Sequence, residues 1–224
     1  MPVQWTIGID EVGRGALAGP VTVGAFALRH GERRVFRAPC PPLRDSKKLS
    51  PEQRTAWTKC LRAAKRDGAN IWYTTASMSP KAVDKLNVAQ AANWAATRAV
   101  KKLLAASGLD PRECRVLLDG GLYLKEKFEP PFRSVETIVK GDEKFSPIML
   151  ASIVAKVTRD RKLERLHRVH PEYGFAKHKG YGTRAHVTVI KERGIVAVHR
   201  LTFVGKWVNL TELWHEQVIT RNRK

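Results

Sequence analysis

Trp5-Thr6-Ile7-Gly8-Ile9-Asp10-Glu11-Val12-Gly13-Arg14-Gly15-Ala16-Leu17-Ala18-Gly19-Pro20, running into Val21-Thr22-Val23-Gly24-Ala25-Phe26-Ala27-Leu28, decides the fold. Residues 5–9 are a short apolar run that reads as a buried strand, and 21–28 are a second. The glycine-rich corner between them is too tight for a crossover, so the two strands are expected to pair antiparallel. Beyond residue 70 the pattern changes. Residues 70–77 read as a third strand, and Ser79-Pro80 opens a long helix to about Ala106, closed by Gly108. Its apolar stripe is Leu86, Ala89, Ala92, Ala96, Ala99 and Leu103, and its small alanines predict close packing on a sheet. Short strands follow at 115–118 and 134–139, then helices at 146–169 and from about Thr183. Ser50-Pro51-Glu52-Gln53 carries the start of another helix, a Ser cap with Pro at the first helical position. Residues 210–219 are read as a terminal helix, and Trp72 and Trp94 as core. Alternating strands and helices after an antiparallel start give an α/β class with a mixed sheet.

The chain has 224 residues, enough for one domain or one domain with an appendage. Lys and Arg number 41 against 21 Asp and Glu, a formal net charge of +20. That excess predicts a polyanionic partner, with nucleic acid ahead of an anionic membrane surface. No apolar run approaches the 18 residues of a membrane span, and the first residues lack the pattern of a signal peptide. Cys40, Cys60 and Cys114 are widely spaced with no C-x-x-C, which argues for unpaired thiols in a reducing compartment and predicts a cytoplasmic protein. Residues 31–43 read as a basic, proline-containing loop.

Four acids fall at or just beyond predicted strand ends: Asp10, Glu11, Asp119 and Asp142. In open α/β sheets the functional crevice lies at strand carboxyl ends, so these side chains are expected to converge. Clustered carboxylates repel one another and stay ionised together only beside a cation. An all-oxygen set suits Mg²⁺ or Mn²⁺, and two such ions about 3.5–4 Å apart clamp a phosphodiester for in-line displacement. The glycine-rich corner is not a dinucleotide fingerprint, because its spacing is G-x-G-x-x-x-G and it leads into a strand. Its glycines would let the backbone approach a sugar-phosphate closely. Asp45 and Asp84 read as capping or turn residues. The seven histidines show no zinc spacing, and His186 reads as packing or orienting a loop.

The motifs become specific when taken together. Gly8-Ile9-Asp10-Glu11-Val12-Gly13-Arg14-Gly15 with Ala18-Gly19-Pro20-Val21 resembles the opening signature of type 2 ribonuclease H (ribonuclease HII). Asp45-Ser46-Lys47-Lys48-Leu49, Leu118-Asp119-Gly120, Lys140-Gly141-Asp142, residues 151–160 and His178-Lys179-Gly180-Tyr181-Gly182-Thr183 resemble later motifs in the family's order, and His199-Arg200 with Phe203 its bacterial ending. The likeness covers about residues 5–204. It implies a ribonuclease H-like mixed five-stranded sheet flanked by helices, with a small helical C-terminal part. A catalytic unit is expected over residues 1–194 and an extension of uncertain role over 195–224.

The resemblance further implies an endonuclease that hydrolyses RNA in RNA/DNA hybrids. It also implies nicking 5′ of ribonucleotides embedded in a DNA duplex, leaving 5′-phosphate and 3′-hydroxyl ends. Asp10, Glu11, Asp119 and Asp142 would hold two Mg²⁺ or Mn²⁺ ions, with Glu143 as the rival to Asp142. Gly13, Arg14 and Gly15 would read the ribose 2′-OH, and Tyr181 would stack on the sugar at the junction. Lys47, Lys48, Ser152 and Lys156 complete the expected substrate contacts, with Lys144, Lys177, His178 and Lys179 as further phosphate candidates. A monomer is the default. Leu150 where the family usually has Ala, the long loop at 31–42 and the tail beyond Gly205 depart from the family pattern. A junction resolvase or exonuclease of similar fold, or a non-catalytic hybrid-binding module, are the competing readings.

Overall fold

A computed structural model describes residues 3–37, 39–125, 128 and 130–209. The expected terminal helix at 210–219 lies outside them. Strands β1 (Trp5–Val12), β2 (Val21–Arg29), β3 (Ile71–Met78), β4 (Cys114–Asp119) and β5 (Ser134–Ile138) form one sheet in the order β3-β2-β1-β4-β5. The pairs β1–β2 and β2–β3 are antiparallel, while β1–β4 and β4–β5 are parallel. The tight corner after β1 forces the first of these pairings, as the sequence requires.

Helices α1 (Pro51–Arg66), α2 (Pro80–Leu86), α3 (Val88–Ser107), α4 (Gly141–Lys144), α5 (Ser146–Val169), α6 (Phe175–His178), α7 (Arg184–Arg193) and α8 (Leu201–Val204) surround the sheet. Ser50 caps α1 through a full capping box with Gln53. The long helix expected from Ser79 is two helices. Asn87, at φ 63°, ends α2, and its side chain caps α3 by accepting from the Gln90 N–H. Asn tolerates this left-handed φ better than most side chains, so one residue both stops and starts a helix. Trp94 is likewise not core. It is 42% exposed, because the buried stripe of α3 is Ala91, Ala92, Ala95, Ala96 and Ala99, and position 94 falls outside it.

The pleat of β1 sends alternate residues to opposite faces. Trp5, Ile7 and Ile9 join Val21, Val23, Ala25 and Ala27 of β2 and the α3 alanines in the largest core. The other face carries Gly8, Asp10, Gly24 and Phe26, and α5 lies across it. A Cβ on Gly8 would overlap the backbone of Pro147 and Ile148, and one on Gly24 would overlap the Ala151 carbonyl. The main chain of α5 thus rests on the sheet at two glycines, closer than any side chain allows.

Cys40 and Cys60 are paired as a disulfide, with Cα atoms 5.8 Å apart, so the expectation of unpaired thiols fails for these two. The basic loop folds back along α1, a proximity that a separation of 20 residues hides. Cys114 is the free, buried thiol, and the cysteine argument for a reducing compartment loses its premise. No described helix is long and apolar enough to cross a membrane.

Replacing Gly8 by Ala should lower stability by about 1–3 kcal/mol, the usual cost of overpacking. A lower urea midpoint at unchanged slope is the expected reading.

Candidate active site

β1 and β4 run parallel with Ile9 beside Leu118, so Asp10 and Asp119 are the next residues out on neighbouring strands. Asp119 closes β4, and its Oδ1 accepts from the backbone N–H groups of Gly141 (2.7 Å) and Asp142 (3.3 Å). That pair of bonds draws the start of α4 onto β4 and brings Asp142 in. Gly141 permits the approach, since a Cβ there would stand 3.3 Å from Asp119 Oδ1 and collide with Ile148. Carboxylate oxygens of Asp10, Asp119 and Asp142 lie within 4.8 Å of one another. Asp142 is buried, whereas Glu143 is turned outward toward Lys48, 3.9 Å away, so the geometry favours Asp142.

Glu11 is not one of these three. Its Oε1 accepts from Arg14 Nη1 at 3.0 Å, while its charge still raises Asp10 and is itself raised by Asp119, so it borders the trio. Burial raises the Asp10 carboxyl well above its ordinary range, with repulsion from Glu11 and Asp119 adding to it. Burial and Asp142 raise Asp119, and burial raises Glu11 although Arg14 opposes it. A hydrogen bond from Ser152 partly offsets the rise at Asp10. The Lys47 ammonium reaches Asp142 Oδ2 at 3.1 Å from a largely exposed side chain. Three crowded carboxylates met by one flexible ammonium are a donor set for a hard divalent cation.

The other expected substrate contacts divide. Ser152 is buried and shares a 2.7 Å hydrogen bond with Ser46, so it supports Asp10 from beneath. Lys156 pairs with Asp160 at 2.9 Å, and Lys179 with Glu164 at 2.7 Å. Lys144 donates to the Val139 carbonyl. His178 is turned inward, bonded to the Tyr173 carbonyl at 2.6 Å. Asp45 accepts from the Lys47 N–H as a turn residue, and Asp84 caps α8 by accepting from Leu201 and Thr202.

The glycine corner is held from the C-terminal third. Leu17 and Ala18 donate to the Gly180 carbonyl, Gly19 donates to Val198, and Ala16 bridges Tyr181. Two fully buried guanidinium groups complete the grip. Arg159 donates to the carbonyls of Ala18, Pro20 and Lys179, and Arg200 to those of Arg14 and Gly19. Arg159 also lies 5.3 Å from the centre of the Tyr181 ring. Burial depresses both groups, Arg200 to about 10 with repulsion from Arg159 contributing. Both arginines lie within motifs quoted above, residues 151–160 and His199-Arg200, but the sequence assigns neither a role, because an Arg that donates only to carbonyls is indistinguishable there from a surface charge.

Gly13 and Gly15 are glycines for different reasons. Gly13 sits at φ 85° and its Cβ would overlap the Arg159 guanidinium, whereas Gly15 is exposed and has nothing within 4 Å of a Cβ. The fold itself does not demand glycine at 15.

The family model for Ribonuclease HII matches residues 7–206. The chain belongs to the ribonuclease HII family. The Ribonuclease HII of Polynucleobacter asymbioticus is 39% identical over 204 residues, spanning 91% of this chain and 94% of its own. The ribonuclease HII chain solved with PCNA from Archaeoglobus fulgidus superposes with a TM-score of 0.67 at 25% identity, covering 92% of this chain and 96% of that one. Bst-RNase HIII in complex with Mn²⁺ shares the fold at a TM-score of 0.68 and 21% identity, over 96% of this chain and 70% of its own. The ribonuclease H-like fold and a metal-dependent ribonuclease H hydrolase, both expected from the motifs, follow from this membership.

His186 and His199 lie behind Tyr181. His186 Nδ1 faces the Tyr181 carbonyl at 2.9 Å and must carry a proton there, leaving Nε2 to accept from His199 Nε2, 3.2 Å away. His199 Nδ1 then accepts from the Val196 N–H at 3.0 Å. Burial lowers each imidazole to about 4, although the Tyr181 and Val196 carbonyls beside them oppose the shift, so both rings are neutral near pH 7. The folded state therefore binds fewer protons than the unfolded between pH 6.5 and 4, so the contribution is full above 6.5 and lost as pH falls through that window. Urea midpoints should show wild type losing on the order of a few kcal/mol across that window relative to His186→Phe.

Proposed function

We propose that this ribonuclease H-type enzyme cleaves RNA in RNA/DNA hybrids and nicks 5′ of single ribonucleotides in duplex DNA. Products would be 5′-phosphate and 3′-hydroxyl ends. The observation that carries the reading is the convergence of Asp10, Asp119 and Asp142 at one edge of a loop with an exposed, sterically unconstrained Gly15. Asp10, Asp119 and Asp142, with Glu11 at the rim, are the residues that would hold two Mg²⁺ or Mn²⁺ ions. Such ions, when bound, lower the pKa of water and neutralise charge on a phosphodiester undergoing in-line displacement.

The chain's own groups set up that reaction. Ser152 and the Glu11 N–H hydrogen-bond Asp10 and orient its carboxylate, and Asp119 carries Asp142 into place through the two backbone bonds of α4. Lys47 holds the Asp142 carboxylate from a largely exposed side chain that would also be within reach of a substrate phosphate. Lys48 lies on the same loop. Phosphate contacts of this kind position a duplex without reading its bases and weaken with salt.

Selection of RNA rests on the 2′-OH, the group that separates the two nucleic acids. Backbone groups of Gly13, Arg14 and Gly15 would meet it, and Tyr181, tied to Ala16 by a bridge, would stack on the adjoining deoxyribose. A Cβ at 15 fits the free protein but would intrude where a sugar docks.

The test is cleavage of three labelled duplexes with Mg²⁺ or Mn²⁺ and an EDTA control: one ribonucleotide in DNA, a continuous hybrid, and all DNA. A metal-dependent nick 5′ of the ribonucleotide with all-DNA intact is the expected result, and cutting of all three duplexes alike would overturn the 2′-OH reading. Asp10→Asn should abolish turnover while duplex binding persists. Gly15→Ala should keep the wild-type urea midpoint yet lose about tenfold or more in kcat/KM, the reverse of a packing glycine. Tyr181→Ala should harm the single-ribonucleotide duplex more than the hybrid.

A further inference from the structure

Arg200 is fully buried on the chain segment just before α8, far in sequence from the glycine corner. Its Nη1 donates to the Arg14 carbonyl at 2.8 Å and its Nε to the Gly19 carbonyl at 3.0 Å. In a planar trans peptide the carbonyl of one residue and the N–H of the next point in opposite directions. The Arg14 carbonyl is drawn inward by a buried cation, so the Gly15 N–H of the same peptide plane is turned outward, at an exposed residue. Among the described residues no carboxylate lies within 4 Å of the Arg200 or Arg159 guanidinium, so two charges are buried at a cost offset by carbonyl dipoles, with only the more distant Asp84 and Asp160 carboxylates assisting. A fold that needed only packing there would be served by an apolar side chain of similar volume.

We propose that Arg200 is a positioning residue for ribose recognition: by gripping the Arg14 carbonyl from within, it aims the Gly15 N–H at the 2′-oxygen of the substrate. Its two bonds need the guanidinium fork, because one ammonium on a flexible stem cannot hold two carbonyls five residues apart in fixed directions. The inference rests on the proposed reading of residues 13–15 and adds a residue outside it. Asp84 extends the chain of support, since its carboxylate accepts from Leu201 (2.9 Å) and Thr202 (3.0 Å) and so anchors the residues that follow Arg200.

The experiment measures binding in the Asp10→Asn background, where cleavage is absent, comparing a duplex containing one ribonucleotide with the same duplex in all DNA. Without a further change, the ribonucleotide duplex should bind more tightly. Adding Arg200→Lys should cut that preference by up to about tenfold, the worth of one hydrogen bond, and weaken the all-DNA duplex little. Arg200→Lys with Asp10 intact should leave Mn²⁺ affinity by calorimetry within about twofold, because Arg200 touches none of the carboxylate trio. Asp84→Ala should shift the preference the same way by less, and it decides the matter if Arg200→Lys does not fold. A preference unchanged in the folded variant, or equal weakening of both duplexes, overturns the inference. Absence of any preference before Arg200 is altered fails the 2′-OH reading instead. In that case faster amide exchange at Leu17, Ala18 and Gly19 in Arg200→Lys still reports whether the grip on the loop is real, and unchanged exchange overturns it.

Discussion

The backbone of α5 lies directly on the sheet at Gly8 and Gly24, and the site is arranged around that contact. From there the helix delivers its residues in order along its length. Pro147 and Ile148 meet Gly8, Ser152 meets Asp10, Arg159 meets Gly13 and Leu163 meets Gly19. One rigid rod thus positions the central carboxylate, the floor of the glycine corner and the ring of Tyr181 together. Interiors packed at crystal density transmit such a constraint rather than absorb it, so a shift of α5 is felt at every station.

Two opposed electrostatic arrangements sit side by side. Three carboxylates are crowded at the ends of β1 and β4, and the crowding shows in the raised Asp10 and Asp119 groups. Close by, two guanidinium groups are buried beneath residues 13–20 and donate, among the described residues, to backbone carbonyls. Each is a local instability that a purely structural design would avoid, and sites that bind ions and anions are where proteins retain such costs. The overall charge of +20 then serves long-range attraction, while these fixed groups set geometry.

Much of the architecture was legible in the sequence. Five strands, the capping box of α1, α5 and the antiparallel opening all follow from periodicity and turn chemistry. The places where expectation and structure part are instructive. Asn87 split one helix into two because a single φ above zero overrode an unbroken apolar stripe. Cys40 met Cys60 because a loop turned back on α1. Elsewhere the structure adds detail that the sequence left open: Glu11 pairs with Arg14 at the border of the carboxylate trio, and Ser152 hydrogen-bonds Asp10.

The chain's order of residues determined which side chains are available: the acids at strand ends, the flanking glycines, and the family to which the motifs belong. Local rules suffice for this, since strand period, capping and motif spacing are properties of neighbours. Only the tertiary structure decided which acids share a cation-sized space, that Asp142 and not Glu143 faces it, and that Arg159 and Arg200 grip the glycine corner from 139 to 186 residues away. Those choices depend on distances between elements far apart in sequence, set by how closely α5 packs and where the C-terminal segments return. No local pattern encodes them.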